Sequence, residues 1–221
     1  MPERLMDFIY CGLRWTIGMF AILCFGYRSK RLQPIPDSGP VLVLANHQSY
    51  LDILLIALAC NRRLFFVARV GLARVRPLAW LMRVFQTVLI DNEGIGKAGL
   101  VAVEKMLTEG RAILIFPEGE RTWDGKMQEL KPGVTLLVRR VPNLTVVPAA
   151  MAGAFDAWPR IQQLPRPTPP FLLRKRERIA VCVGKGISSA KLAEIPKREM
   201  LGMLHAEMSN CLKQAEELRG M

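Results

Sequence analysis

From residue 40 onward, short and almost wholly apolar runs alternate with stretches of helical periodicity. The candidate strands are 41–45, 64–68, 87–91, 111–116, 144–150 and 178–183. Helical stretches fall at 50–60, 77–85, 96–109, 133–140 and 197–218. A strand that is apolar throughout needs cover on both of its faces, which crossover helices on a parallel sheet provide. The alternation therefore predicts an α/β chain in a single domain, with a mostly parallel central sheet covered by helices. Pro77 suits the first turn of its helix, and Gly110 sits just past the end of 96–109. Residues 159–170 hold five prolines and read as an irregular excursion over the surface. Phe171-Leu172-Leu173 and Arg174-Lys175-Arg176 follow, an apolar triplet beside a basic run.

The N-terminus differs from the rest. Leu5 to Tyr27 is apolar and approaches the span of a bilayer core. Asp7 and Arg14 lie inside it, and a spanning helix rarely keeps two charges. Arg28-Ser29-Lys30-Arg31 follows at once, and there is no small-residue cleavage site. We expect residues 1–31 to form a membrane-associating helix with a basic flank, and residues 32–221 to form the α/β domain. The helix would lie in the interface on the cytoplasmic face, with the basic tetrad on anionic headgroups. A single-pass span and a terminal helix packed on the domain's own core are the alternatives.

Composition agrees with a lipid surface. Hydrophobic residues make up 51% of the chain, while 31 Lys+Arg against 19 Asp+Glu give a net charge of +12. An anionic membrane accounts for both properties, whereas nucleic acid accounts only for the charge. The five cysteines are odd in number and lack C-x-x-C spacing. They read as reduced thiols, not as a disulfide frame or a metal site. Between residues 69 and 85 an apolar set (Leu72, Val75, Leu78, Leu81, Met82, Phe85) is interleaved with Arg69, Arg76 and Arg83. That pattern suits a surface lying on lipid, and equally a core face backed by solvated charge.

Chemistry concentrates after the first strand, at Asn46-His47-Gln48-Ser49-Tyr50-Leu51-Asp52. His47 is one of two histidines in the chain. Ser49 and Asp52 form an S-x-x-D helix start, with Ser49 as N-cap and Asp52 at the third position. His47 then precedes the helix and Asp52 points back from its first turn. The carboxylate would fix one imidazole nitrogen and leave the other as proton acceptor. Taken alone, the pattern is also an ordinary helix cap beside a structural histidine. Phe116-Pro117-Glu118-Gly119-Glu120-Arg121-Thr122 follows another apolar strand. Parallel strands emerge on one edge, where open α/β sheets bind ligands, so Glu118 and Arg121 are expected to converge on His47. A guanidinium at Arg121 offers planar paired donors to a phosphate.

These blocks resemble those of the glycerophospholipid acyltransferases, and most closely the 1-acylglycerol-3-phosphate acyltransferase branch. Residues 46–52 look like its N-H-x-S-x-x-D block, and 116–122 are similar to its F-P-E-G-T-R-S block, with Glu120 in place of Thr. Lys131-Pro132-Gly133 is similar to the K-x-G that follows, and Val146-Val147-Pro148 to a late V-P-V strand. The blocks occur in family order over residues 40–186. One departs: the F-I-D-R segment corresponds to Leu89-Ile90-Asp91-Asn92, so the family's phosphate-binding arginine is Asn92 here.

The resemblance implies acyl transfer from acyl-CoA or acyl-carrier protein to a lysophospholipid-type hydroxyl, with no further cofactor. His47 would be the general base and Asp52 its orienter. Glu118, Gly119, Arg121, Lys131, Asn46 and Ser49 would bind substrate, with Arg69 as a further cation. Backbone N–H groups at the start of the 50–60 helix or around Gly119 would hold the oxyanion. A different lyso-lipid or amine-lipid acceptor fits Asn92. A non-catalytic lipid-binding module is the alternative from another class.

Overall fold

Residue alternation along one strand organises the core. In the computed structural model, β2 (Val41–Ala45) is fully buried and lies in the middle of an eight-stranded sheet. Val41, Val43 and Ala45 face one layer, while Leu42 and Leu44 face the other. Successive side chains of a strand point to opposite faces, so this run needs helices on both sides. The structure describes residues 3–69, 79–80, 82, 87–90, 97–159 and 178–221.

The sheet runs β1 (Arg28–Arg31), β7 (Ala180–Val183), β6 (Thr145–Ala152), β2, β5 (Ala112–Ile115), β3 (Phe65–Arg69), β4 (Val88–Ile90), with β8 (Ile187–Ser188) beside β6. From β6 to β4 all neighbours are parallel. Both β7 and β8 pair antiparallel to β6, and β1 pairs parallel to β7. One face is covered by α1 (Glu3–Phe25) and α2 (Asp52–Ala59). The other is covered by α3 (Lys97–Thr108), α4 (Gly133–Arg140) and α7 (Lys197–Gly220). Two short helices, α5 (Ala154–Ala157) and α6 (Ser189–Ala193), complete the described elements.

The expected strands and the long helices all appear, within a few residues of their expected bounds. Of the helix expected at 77–85, the described residues 79, 80 and 82 are helical. Asn92, the side chain of Arg69, most of the amphipathic stretch 69–85 and the run 171–176 fall outside the described residues. The five cysteines are free thiols.

The N-terminal region adds a strand. Arg28–Arg31 forms an edge strand of the domain. Arg31 donates to the Ala59 carbonyl at 2.7 Å, and Lys30 to Gln214 at 3.3 Å. Four polar residues carry no strand signal of their own; β7 recruits them through its open edge, where charged residues are tolerated. Helix α1 packs on α2 through Arg14, whose guanidinium donates to the carbonyls of Ala57, Leu58 and Cys60 at 2.7, 2.8 and 2.8 Å. Those carbonyls belong to the C-terminal end of α2, where a helix leaves acceptors unpaired and favours a cation. The charge that counted against a spanning helix is thus the link between α1 and the domain. The opposite face of α1 stays apolar and open, with Phe8, Trp15, Phe20, Ile22 and Leu23 all exposed.

Candidate active site

Two adjacent parallel strands deliver the site. Leu44 of β2 is in register with Ile115 of β5, so the turns that follow them leave the sheet side by side. His47 comes from the first turn and Phe116 from the second. Their rings stack at 3.9 Å between centroids, 9° from parallel.

Asp52 opens α2 and is completely buried. One of its oxygens, Oδ2, accepts from His47 Nδ1 at 2.6 Å, Gln48 N at 2.6 Å and Ser49 N at 2.9 Å. A carboxylate only accepts, so Nδ1 carries the proton and a neutral ring keeps its lone pair on Nε2. The His47 side chain is 20% exposed, so the ring is reachable from outside. The helix N-terminus adds a favourable field for the Asp52 carboxylate.

The helix start follows the S-x-x-D reading in its bonding and differs from it in its bounds. Ser49 Oγ accepts from Leu51 N at 3.2 Å, and Asp52 accepts the Ser49 N–H in return. The regular helix begins only at Asp52, with Leu51 already in helical conformation ahead of it. Ser49 also donates to the Trp158 carbonyl at 2.7 Å and is buried. It braces the turn, where substrate binding was expected.

Asn46 has the same fate. Its amide donates to Met151 O at 2.9 Å and accepts from Met151 N at 2.8 Å, a closed pair that ties β2 to β6. Glu118 was expected to position a head group, and it does not face outward. It is 3% exposed. Its Oε1 accepts from His47 N and its Oε2 from Gln128 N, both at 2.8 Å. Burial pushes its carboxyl up to about 7, the two backbone N–H groups oppose this, and the Asp52 charge reinforces it. Four backbone N–H groups in the two expected oxyanion regions are also taken. The N–H groups of Gln48 and Ser49 go to Asp52, that of Leu51 to Ser49, and that of Gly119 to Phe116 O.

Two cations remain at the rim. The Arg121 guanidinium lies 3.6 Å above the Tyr50 ring, which in turn sits 5.0 Å from Trp158. Lys131 is exposed, and its chain crosses Gly119, whose φ is +81°. A Cβ at Gly119 would stand 2.8 Å from Lys131 Cε, which the exposed lysine could relieve by moving, so this turn needs glycine for its conformation. Phe116 and Thr122 were the contributors missed from sequence. Thr122 N donates to His47 O at 2.9 Å. Neither residue type advertises chemistry; only their place in the second block could have drawn attention to them.

The α/β domain thus carries an Asp-braced histidine at the end of a central strand, gripped by the turn of its neighbour. Residues 27–152, more than half of the chain, match the family model described as Acyltransferase, and the chain belongs to that family. It is 34% identical over 133 residues to a probable 1-acyl-sn-glycerol-3-phosphate acyltransferase of Mycoplasma genitalium, covering 56% of this chain and 49% of that one. The 1-acyl-sn-glycerol-3-phosphate acyltransferase of Bacillus subtilis is 20% identical over 86% of this chain and 88% of its own. A lyso-ornithine lipid O-acyltransferase of Rhodobacter capsulatus is 34% identical over 116 residues, covering 49% of this chain and 41% of its own. The chain spans about half the length of the Mycoplasma relative and less of several others. The fold matches the crystal structure of the 1-acyl-sn-glycerophosphate (LPA) acyltransferase PlsC of Thermotoga maritima, with a TM-score of 0.74 over 97% of this chain and 83% of that one, at 18% identity.

Proposed function

We propose that this protein transfers a fatty acyl group from a thioester, acyl-CoA or acyl-carrier protein, to the hydroxyl of 1-acylglycerol-3-phosphate. The observation that carries the reading is the 2.6 Å bond between His47 Nδ1 and the buried carboxylate of Asp52. Nε2 takes the proton of the acceptor hydroxyl as its oxygen attacks the thioester carbonyl. Asp52 stabilises the imidazolium that forms. The C–O bond forms, the C–S bond breaks, and the leaving thiolate takes the proton back from His47. The thioester is already activated, so no acyl-enzyme is required. Arg121 and Lys131 are the cations at the rim suited to the acceptor phosphate. The open apolar face of α1 rests in the membrane interface on the cytoplasmic side. The 18 residues Phe8–Phe25 are long and apolar enough to cross a membrane, and only 17% of them are buried. A helix tied to the domain through Arg14 favours lying on the bilayer over crossing it.

A second acceptor class has its own support. Asn92 stands where the family offers an arginine to phosphate, and the Rhodobacter relative is named for a lyso-ornithine lipid. A lysolipid with an amine head group is therefore the alternative substrate. Purified protein is given one acyl-CoA and one acyl-carrier protein donor against a panel of lysolipids, and released thiol is measured. Turnover only with lyso-ornithine lipid replaces the first acceptor by the second. Binding to lysolipid without thiol release from either donor means a non-catalytic lipid-binding module.

A further inference from the structure

We infer that two residues of the 116–122 block serve the base and not the substrate: Phe116 and Glu118 are positioning residues that hold His47 in place. This rests on His47 being the base. The block meets His47 on three sides. Phe116 stacks flat on the ring, Glu118 Oε1 takes the backbone N–H, and Thr122 N–H meets the backbone carbonyl. Asp52 supplies the fourth contact, from His47's own turn. A residue held by ring, N–H, carbonyl and Nδ1 has almost no freedom left. Glu118 joins two loops in doing so, because its second oxygen holds Gln128 N. With both oxygens committed and 3% of the residue exposed, little of Glu118 remains for a head group. Phe116 adds a second service: an aromatic face stabilises a cation stacked on it, and the ring becomes cationic during turnover.

The tests are Glu118→Gln, Phe116→Leu and Phe116→Tyr, each checked for folding by circular dichroism. Gln keeps one acceptor oxygen and turns an NH2 toward the other N–H, so one of the two bonds is lost. The expected result is a kcat lower by about 10- to 100-fold for Glu118→Gln, as a misplaced reacting group costs about that much. For Phe116→Leu a loss of about 3- to 10-fold is expected, the worth of one stacked pair, with rescue by Tyr. The acceptor KM should stay within about twofold for all three. An acceptor KM raised tenfold at unchanged kcat would overturn the inference and return Glu118 to the head group. A second readout needs no turnover. With His205→Gln leaving one histidine, the Nδ1 proton of His47 is followed by nuclear magnetic resonance. Glu118→Gln and Phe116→Leu should each shift or broaden it, and an unchanged signal in both sinks the holder. An inactive wild type in which the variants still disturb this proton refutes the acyl-transfer reading and leaves the holder standing.

Discussion

Asp52 and Arg14 work at opposite ends of one eight-residue helix. The Asp52 carboxylate opens α2 and accepts two backbone N–H groups of the turn before it, while Arg14 gathers three carbonyls at its far end. Each charge sits where the helix field favours it. The end of α2 that carries Asp52 is therefore anchored through the end that touches α1.

Arg14→Met should lower unfolding stability by on the order of 2–3 kcal/mol, the worth of hydrogen bonds from a charged donor to partly buried acceptors. Arg14→Lys should recover only part, because one ammonium lacks the guanidinium's fixed fork. Urea midpoints in detergent check this. A midpoint unmoved in Arg14→Met would mean that α1 is not anchored here.

His47→Ala should lower acyl transfer by about 100- to 10,000-fold with the fold retained, the range for loss of a positioned general base. Asp52→Asn should cost a comparable factor, since an amide can present N–H instead of an acceptor to Nδ1 and select the wrong tautomer. Initial rates of thiol release, with circular dichroism as control, decide it. A folded His47→Ala variant near wild-type rate would end the mechanism.

Stability should depend on pH through Glu118. The folded carboxyl titrates at about 7 against 4.5 unfolded. Between those values the folded state holds the extra proton, so stability falls as pH rises from about 4.5 to about 7 and is flat above. The contribution is on the order of 2–3 kcal/mol over that window. Glu118→Gln should flatten this part of the curve. Parallel stability curves for wild type and variant from pH 4.5 to 8 would refute the assignment.

The apolar strands were legible in the sequence because burial on both faces calls for an apolar run: Val41-Leu42-Val43-Leu44-Ala45, short and bounded by Pro40 and Asn46, suits a central strand. The His47–Asp52 pair was legible through its helix-start spacing. Arg28–Arg31 was not, because an edge strand of polar residues is defined by its partner β7 and not by its own pattern. Glu118, Asn46 and Ser49 were read as ligand-facing because their side chains carry chemistry. The structure spends that chemistry internally, on backbone groups that chain crossings bring within reach. Sequence order brought the two blocks to one edge; which atoms of each would be consumed there depends on packing.

Membrane contact should separate α1 from the basic strand. Phe8 and Trp15 are 78% and 68% exposed on the outer face of α1, and Phe20 joins them at 50%. Burying a large apolar side chain is worth about 1.5–3 kcal/mol. Trp15→Ser with Phe8→Ser should therefore weaken binding to anionic vesicles by at least about 100-fold, with the urea midpoint unchanged. Arg31→Ser should do the reverse: it removes a 2.7 Å bond to Ala59 O, lowering stability while leaving vesicle affinity near wild type. Vesicle flotation and urea titration on the same variants give both readings. If Arg31→Ser released the protein from vesicles and the α1 variants did not, the basic strand, and not the apolar helix face, would be the membrane anchor.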